Sequence, residues 1–146
     1  MFETAVTLDS KRHAGHGCRP VADYGFARNV LSAPLAGAEV VRASREFPIV
    51  FPETGRMVPV ALMGYAAHGN LWVDENGNWT GRYIPAHLRR YPFVLGEQSE
   101  AGRFVVMVEP GALAEDGTGE VLFEDGQVPS GGIGDRARDN VSTRTE

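Results

Sequence analysis

One phrase of this chain occurs twice, and that repetition constrains the fold more than any other feature. Arg45-Glu46-Phe47-Pro48-Ile49-Val50-Phe51 returns as Arg89-Arg90-Tyr91-Pro92-Phe93-Val94-Leu95. Each copy runs on into a second apolar stretch, Val58-Pro59-Val60-Ala61-Leu62 or Phe104-Val105-Val106-Met107-Val108. A glycine turn follows each, in Leu71-Trp72-Val73-Asp74-Glu75-Asn76-Gly77 and in Val121-Leu122-Phe123-Glu124-Asp125-Gly126. Self-similarity in this order predicts two structural units of one kind. It identifies no reaction.

The local logic of each copy is the same. Leu35, Ala38, Glu39 and Arg42 fall at helical spacing, so a helix is expected over 35–46, with Arg42 and Arg45 complementing its dipole in the last turn. Pro48 ends it, because the residue before a proline is driven toward extended geometry. In the second copy Pro85 suits a first helical turn, 87–90 make a short helix, and Pro92 converts it to strand. Each unit reads helix, proline, strand, loop, strand, hairpin, with loops of unequal length at 53–57 and 96–103.

The expected fold class is therefore α+β, mainly antiparallel β with two short helices. The two pseudo-repeated units pool their strands into one sheet system around a single interior, with the helices on one face. Residues 1–128 are read as one domain: an extended arm over 1–34 with a short strand at its start, then units over 35–80 and 83–128. Residues 129–146 carry almost no apolar side chains and are expected to be a disordered tail.

The glycine turns set a register. A three-residue Glu75-Asn76-Gly77 loop with Gly77 left-handed places Asp74 opposite Asn78 and Val73 opposite Trp79. Leu71, Val73 and Trp79 then share an apolar face, and Trp72 joins Asp74, Asn78 and Thr80 on the polar one. A two-residue Asp125-Gly126 turn places Glu124 opposite Gln127. A slip of one residue would reverse every side chain.

Composition narrows the function classes. A chain of 146 residues with 42% hydrophobic and 23% charged residues is an ordinary globular domain. Its net charge of −5 and the lack of any basic run longer than two residues argue against nucleic acid as a partner. The apolar run 58–67 is about half a bilayer span and contains Pro59 and Gly64, so no membrane insertion is expected. Cys18 is the one cysteine and can form no internal disulfide, which fits a cytoplasmic location.

Candidate chemistry is sparse. His13, His16 and Cys18 have donor atoms close in sequence, but their spacing matches no standard zinc pattern, so neither metal nor cofactor is expected. Asp74-Glu75 and Glu124-Asp125 precede turn glycines and read as turn residues rather than acid/base dyads. Gly131-Gly132-Ile133-Gly134 lacks the lysine of a phosphate loop. Two features point to recognition instead. Arg89-Arg90-Tyr91 places two guanidinium groups beside an aromatic ring, suited to carboxylates or peptide backbone. Trp72, on the polar face of its hairpin, is the second candidate contact.

An ordered set of segments resembles the SapC-like family, named for bacterial surface-layer protein secretion. They are Met1-Phe2 with Leu8 and His13, Tyr24-Gly25-Phe26-Ala27, Pro34-Leu35 with Glu39, Phe47-Pro48-Ile49-Val50-Phe51 and Pro59-Val60-Ala61-Leu62. Asn70-Leu71-Trp72-Val73-Asp74 with Gly77 and Trp79, Tyr83-Ile84-Pro85-Ala86, Arg89-Arg90-Tyr91-Pro92-Phe93 and Gly119-Glu120-Val121-Leu122-Phe123 complete it. The resemblance covers about residues 1–128. It implies a cytoplasmic, non-enzymatic accessory protein that binds a polypeptide in surface-layer export, and it supplies no catalytic residues. Members continue past the last glycine turn with helical sequence, so the polar tail here implies a truncated C-terminus. The alternative is a subunit of a peptide-modifying or metal-dependent enzyme, with the 13–18 arm closing over a metal. A structural homo-oligomer paired through strand edges is a third reading.

Overall fold

Both prolines of the repeated phrase stand where a helical turn gives way to strand. The computed structural model describes residues 2–53, 55, 57–98 and 103–129. Beyond Pro129 the expected tail lies outside the described residues, as does Gly131-Gly132-Ile133-Gly134. Along the chain, β1 (Val6–Thr7) and β2 (Gly17–Cys18) come first. Then follow β3 (Ser32–Pro34), α1 (Val40–Ala43), β4 (Ile49–Val50), β5 (Val60–Leu62), β6 (Gly64–Tyr65), β7 (Gly69–Asn70) and α2 (Ala86–Arg89). Finally come β8 (Phe93–Gln98), β9 (Arg103–Val108), β10 (Leu113–Ala114) and β11 (Glu120–Val121). The architecture is mainly antiparallel β with two short helices.

These elements divide between two compact units, Ala22–Arg89 on one side and Phe2–Val21 with the chain from Arg90 onward on the other. Residues 1–34, read as an extended arm with one strand, hold three strands, and the arm is shared between the units. The strands do not pool into one sheet system. Among the described residues they form four small sheets, and the buried side chains fall into two clusters rather than one interior. Strands of two or three residues offer too few ladder bonds to carry a sheet further, and Pro34 and Pro48 lack the donors to extend it.

In the Ala22–Arg89 unit, α1 is shorter than the 35–46 expected. A 3-10 turn over Gly37–Glu39 leads into it, and Ser44 closes it on the Val40 carbonyl. Pro48 follows, and β4 pairs with β5 at Ile49↔Ala61 and Val50↔Val60. Strand β3 pairs with the other edge of β5, giving the order β3-β5-β4. Ala33, Leu35, Ala43, Phe47, Ala61 and Met63 are buried together beneath this sheet. The residues of opposite pleat phase, Val50 and Leu62, are exposed.

In the second unit, β8 pairs with β9 from Phe93↔Val108 to Gln98↔Arg103, and β1 takes the other edge of β9. Gly96 lies within β8, so the segment expected to loop over 96–103 is strand up to Gln98. A Cβ at Gly96 would meet the Met107 sulfur at 2.5 Å, so glycine leaves room for that thioether. A second sheet, β10-β2-β11, places Cys18 between Leu113 and Glu120. Phe93, Val108, Ala112, Leu122 and Cys18 form the buried cluster of this unit.

The two turn registers hold. Val73 and Trp79 form an antiparallel bridge, the Asp74 N–H donates to the Asn78 carbonyl (2.9 Å), and Gly77 has φ +86°. Glu124 bridges Gln127 across Asp125 (φ +49°) and Gly126 (φ +75°), the backbone of a two-residue hairpin loop.

Candidate functional site

Glu39 organises the polar chemistry of the Ala22–Arg89 unit. It sits at the end of the turn entering α1, with its side chain only 10% exposed. One carboxyl oxygen accepts the Ala36 N–H (2.9 Å), which would otherwise be an orphan donor of the helix start. The other accepts the Tyr83 hydroxyl (2.5 Å) and the Ala86 N–H (2.7 Å) at the start of α2. One side chain thus caps both helices and ties them together. Burial, then the Glu39 carboxyl beside it, pushes the Tyr83 phenol up to about 12.

Arg89 joins this group from the last turn of α2. Its guanidinium stands 4.0 Å from Glu39 and 6.0 Å from the centre of the Tyr83 ring, while its side chain stays 55% exposed. At that exposure the ion pair contributes little stability, about 0–1 kcal/mol. Arg89 therefore presents an aimed cation to solvent.

Trp72 does not lie open on a polar face. Its ring packs on Phe47 at 4.7 Å, and Trp79 meets Phe47 at 6.3 Å and Tyr24 at 5.7 Å. The alternation expected through Leu71 fails because Leu71 and Trp72 form a turn, with the Val73 N–H reaching back to the Asn70 carbonyl. Leu71 is left exposed and Trp72 is half-covered. Asn70 fixes this turn: its amide donates to the Ala27 carbonyl (3.1 Å), and its oxygen accepts the Trp72 N–H (3.0 Å). Glu46 accepts the Arg82 N–H with both oxygens (3.0 and 2.8 Å) beside the two indoles. A Cβ on Gly81 would meet Glu46, Trp72 and Trp79 at 2.5, 2.7 and 2.9 Å.

Arg90 and Tyr91 belong to the other unit, and Arg90 lies just past α2 rather than within it. The Arg90 guanidinium lies 5.5 Å from the centre of the Phe2 ring, and the Phe2 and Tyr91 rings are 6.0 Å apart. Burial raises the Tyr91 phenol, with smaller contributions from Glu109 and Cys18. Glu109 is held by Thr4, whose hydroxyl donates to it (2.6 Å), and its own N–H donates to the Pro92 carbonyl (3.0 Å). Of the four expected contacts, Arg89 and Trp72 fall in one unit and Arg90 and Tyr91 in the other.

The 13–18 segment is a built turn. Asp9 accepts the N–H groups of Lys11 and Arg12 (2.9 and 2.8 Å), bonds that lower its own pKa. Its backbone N–H donates to His13 Nδ1 (3.0 Å), and His13 is buried with its ring 5.6 Å from His16. Cys18 is buried in the central strand of its sheet. Among the described residues, no group of three or more His, Cys, Asp or Glu side chains is placed to hold a metal. No helix among them is long and apolar enough to cross a membrane.

Sequence reasoning missed the roles of Glu39 and Phe2. The signal for Glu39 was its place three residues after Ala36, the acidic position of a capping box, masked because alanine cannot complete the motif. Nothing in the local pattern marks Phe2 as the partner of Arg90 and Tyr91, which lie far along the chain.

No curated protein and no solved structure matches the chain significantly. The family model of SapC matches residues 8–132, the stretch that carries every described strand after β1, the Glu39 cluster and the Arg89–Tyr91 run, and the chain belongs to the SapC family.

Proposed function

We propose that this chain is a non-enzymatic accessory protein that binds a polypeptide in the export or handling of bacterial surface-layer proteins, acting in the cytoplasm. The observation that carries the binding reading is the Arg90–Tyr91 corner, where a guanidinium and a phenol ring both approach the aromatic side chain of Phe2. Cation–π and ring–ring contacts of this kind recognise side chains without making or breaking bonds. Arg89, exposed and steered by Glu39 and Tyr83, is the second contact, suited to a carboxylate. Trp72 contributes less, because its ring already packs on Phe47. The surface-layer connection comes from SapC membership. The test is capture from the native host with a tagged chain. Surface-layer polypeptide is expected to co-purify with the unsubstituted protein and to be lost with Arg89→Ala/Arg90→Ala; unchanged capture overturns the reading.

The pairing schemes also support internal repetition. The Leu62 N–H donates to the Pro48 carbonyl as the Glu109 N–H does to Pro92, and the Leu35 N–H donates to Pro59 as Leu8 does to Val106. Ala33↔Ala61↔Ile49 then corresponds to Val6↔Val108↔Phe93, centre strand for centre strand. In this reading each repeat also takes a strand from the segment before its helix. Residues 59–62 match 106–109, one residue beyond the alignment that apolar content alone suggests.

A second reading, self-association, rests on one observation. Strand β4 is a sheet edge, with Val50 and Phe51 exposed on or beside it and Leu62 exposed on the neighbouring strand. Light scattering across a concentration series separates a dimer from a monomeric adaptor.

A further inference from the structure

We propose that the Arg90–Tyr91 corner is a receptor for an aromatic side chain of the bound polypeptide, and that Phe2 of the same chain occupies it as an internal competitor. This deepens the binding reading above and rests on it. The ring of Phe2 meets groups of different chemistry, among them the Tyr91 ring at 6.0 Å and the Arg90 guanidinium at 5.5 Å. An aliphatic side chain could fill the volume, but only a ring offers both a π face to the cation and an edge or face to the phenol.

The way Phe2 is tethered makes it replaceable. The segment behind it is anchored independently: Thr4 donates to Glu109 (2.6 Å), Val6 and Thr7 pair with Val108 and Met107, and the Leu8 N–H donates to Val106 (2.8 Å). Phe2 can leave while those contacts stay. Its backbone has φ +69°, a left-handed conformation that residues with a Cβ adopt only at a cost, and the ring contacts hold it there. Phe2 is also only half-buried. Leaving relieves the backbone, so Phe2 is set to exchange with an incoming ring that takes up the same two contacts. A ligand must wait for the vacant state, and its apparent affinity falls by the fraction of time that state is populated.

The probe is a synthetic capped tetrapeptide, acetyl-Phe-Glu-Thr-Ala-amide, titrated while the Tyr91 ring signals are followed by NMR. Phe2→Ala is expected to take up this peptide at least roughly tenfold more tightly than the unsubstituted chain, the factor for a corner that is vacant a tenth of the time or less. A peptide with leucine in place of phenylalanine is expected to shift nothing, and Phe2→Ala/Tyr91→Ala is expected to lose the gain. Phe2→Leu, which keeps apolar bulk behind β1, serves if the alanine variant does not fold, and is expected to show a gain in the same direction. Equal affinity with and without Phe2, uptake indifferent to the aromatic residue, or no uptake by either variant would overturn the proposal. If Arg89→Ala/Arg90→Ala abolishes surface-layer capture while Phe2 substitutions change nothing, the binding function stands and the competitor role falls.

Discussion

Gly81 is a residue whose importance only three-dimensional packing reveals. Its φ is not in the left-handed region, so conformational freedom is not the reason for glycine; space is. A methyl there would press on Glu46 and on both indoles, all closer than a Cβ tolerates. Gly81→Ala is expected to destabilise the Ala22–Arg89 unit by about 1–3 kcal/mol, read from denaturant unfolding followed by tryptophan fluorescence. Glu39→Ala strips an acceptor from Ala36, Ala86 and Tyr83 at once and is expected to cost on the order of 2 kcal/mol in the same measurement. Tyr83 supplies a pH test. Its folded pKa of about 12 exceeds the ordinary value of 10.0, so folding favours the neutral phenol. The associated stability is full below pH 10.0 and is lost as pH rises toward about 12. Phenolate absorbance, with Tyr83→Phe as the reference, is expected to show one tyrosine titrating in that window, together with a fall in stability that the variant lacks.

At the scale of elements, the sequence was legible where local chemistry decides and opaque where distant segments meet. Proline before β4 and β8, glycine in both hairpin turns, and the bridge of Val73 with Trp79 all follow from backbone restrictions within a few residues. The partner of β9 did not follow, because β1 is only two residues long and its pairing rests on contacts about a hundred residues away. Trp72 was misplaced for a related reason: the period-2 rule was carried through Leu71, where the Asn70 side chain imposes a turn. The Val73–Trp79 hairpin has its own acid test. The Asn78 side chain and N–H bond the Asp74 carboxyl and hold its pKa below 3.8. The contribution is present above that value and disappears as pH falls through the lower, folded one. The protection factors of the Asn76 and Asn78 amides, whose N–H groups both donate to Asp74, are expected to fall on acidification. In Asp74→Ala they are expected to be low at every pH.

For the whole molecule, the question is whether two buried clusters mean two units of stability. The chain order is nested: the Ala22–Arg89 unit is continuous, whereas its companion is assembled from Phe2–Val21 and the chain from Arg90 onward. Each cluster is small, and among the described residues each sheet closes within its own unit, so neither has a ladder hydrogen bond there that depends on the other's strands. Phe93 is fully buried at the centre of the second cluster, and Phe93→Ala is expected to remove about 3–5 kcal/mol there. That loss is comparable with the total stability of a small domain, so the second unit is expected to open in most molecules. Native-state hydrogen exchange reads the consequence residue by residue. Amides of Val106 and Val108 are expected to lose protection, while those of Ala61, Leu62 and Met63 keep theirs. Ala61 and Met63 are fully buried in the first cluster, so their exchange cannot quicken without opening that unit. Matching losses in both groups would mean that the clusters melt as one.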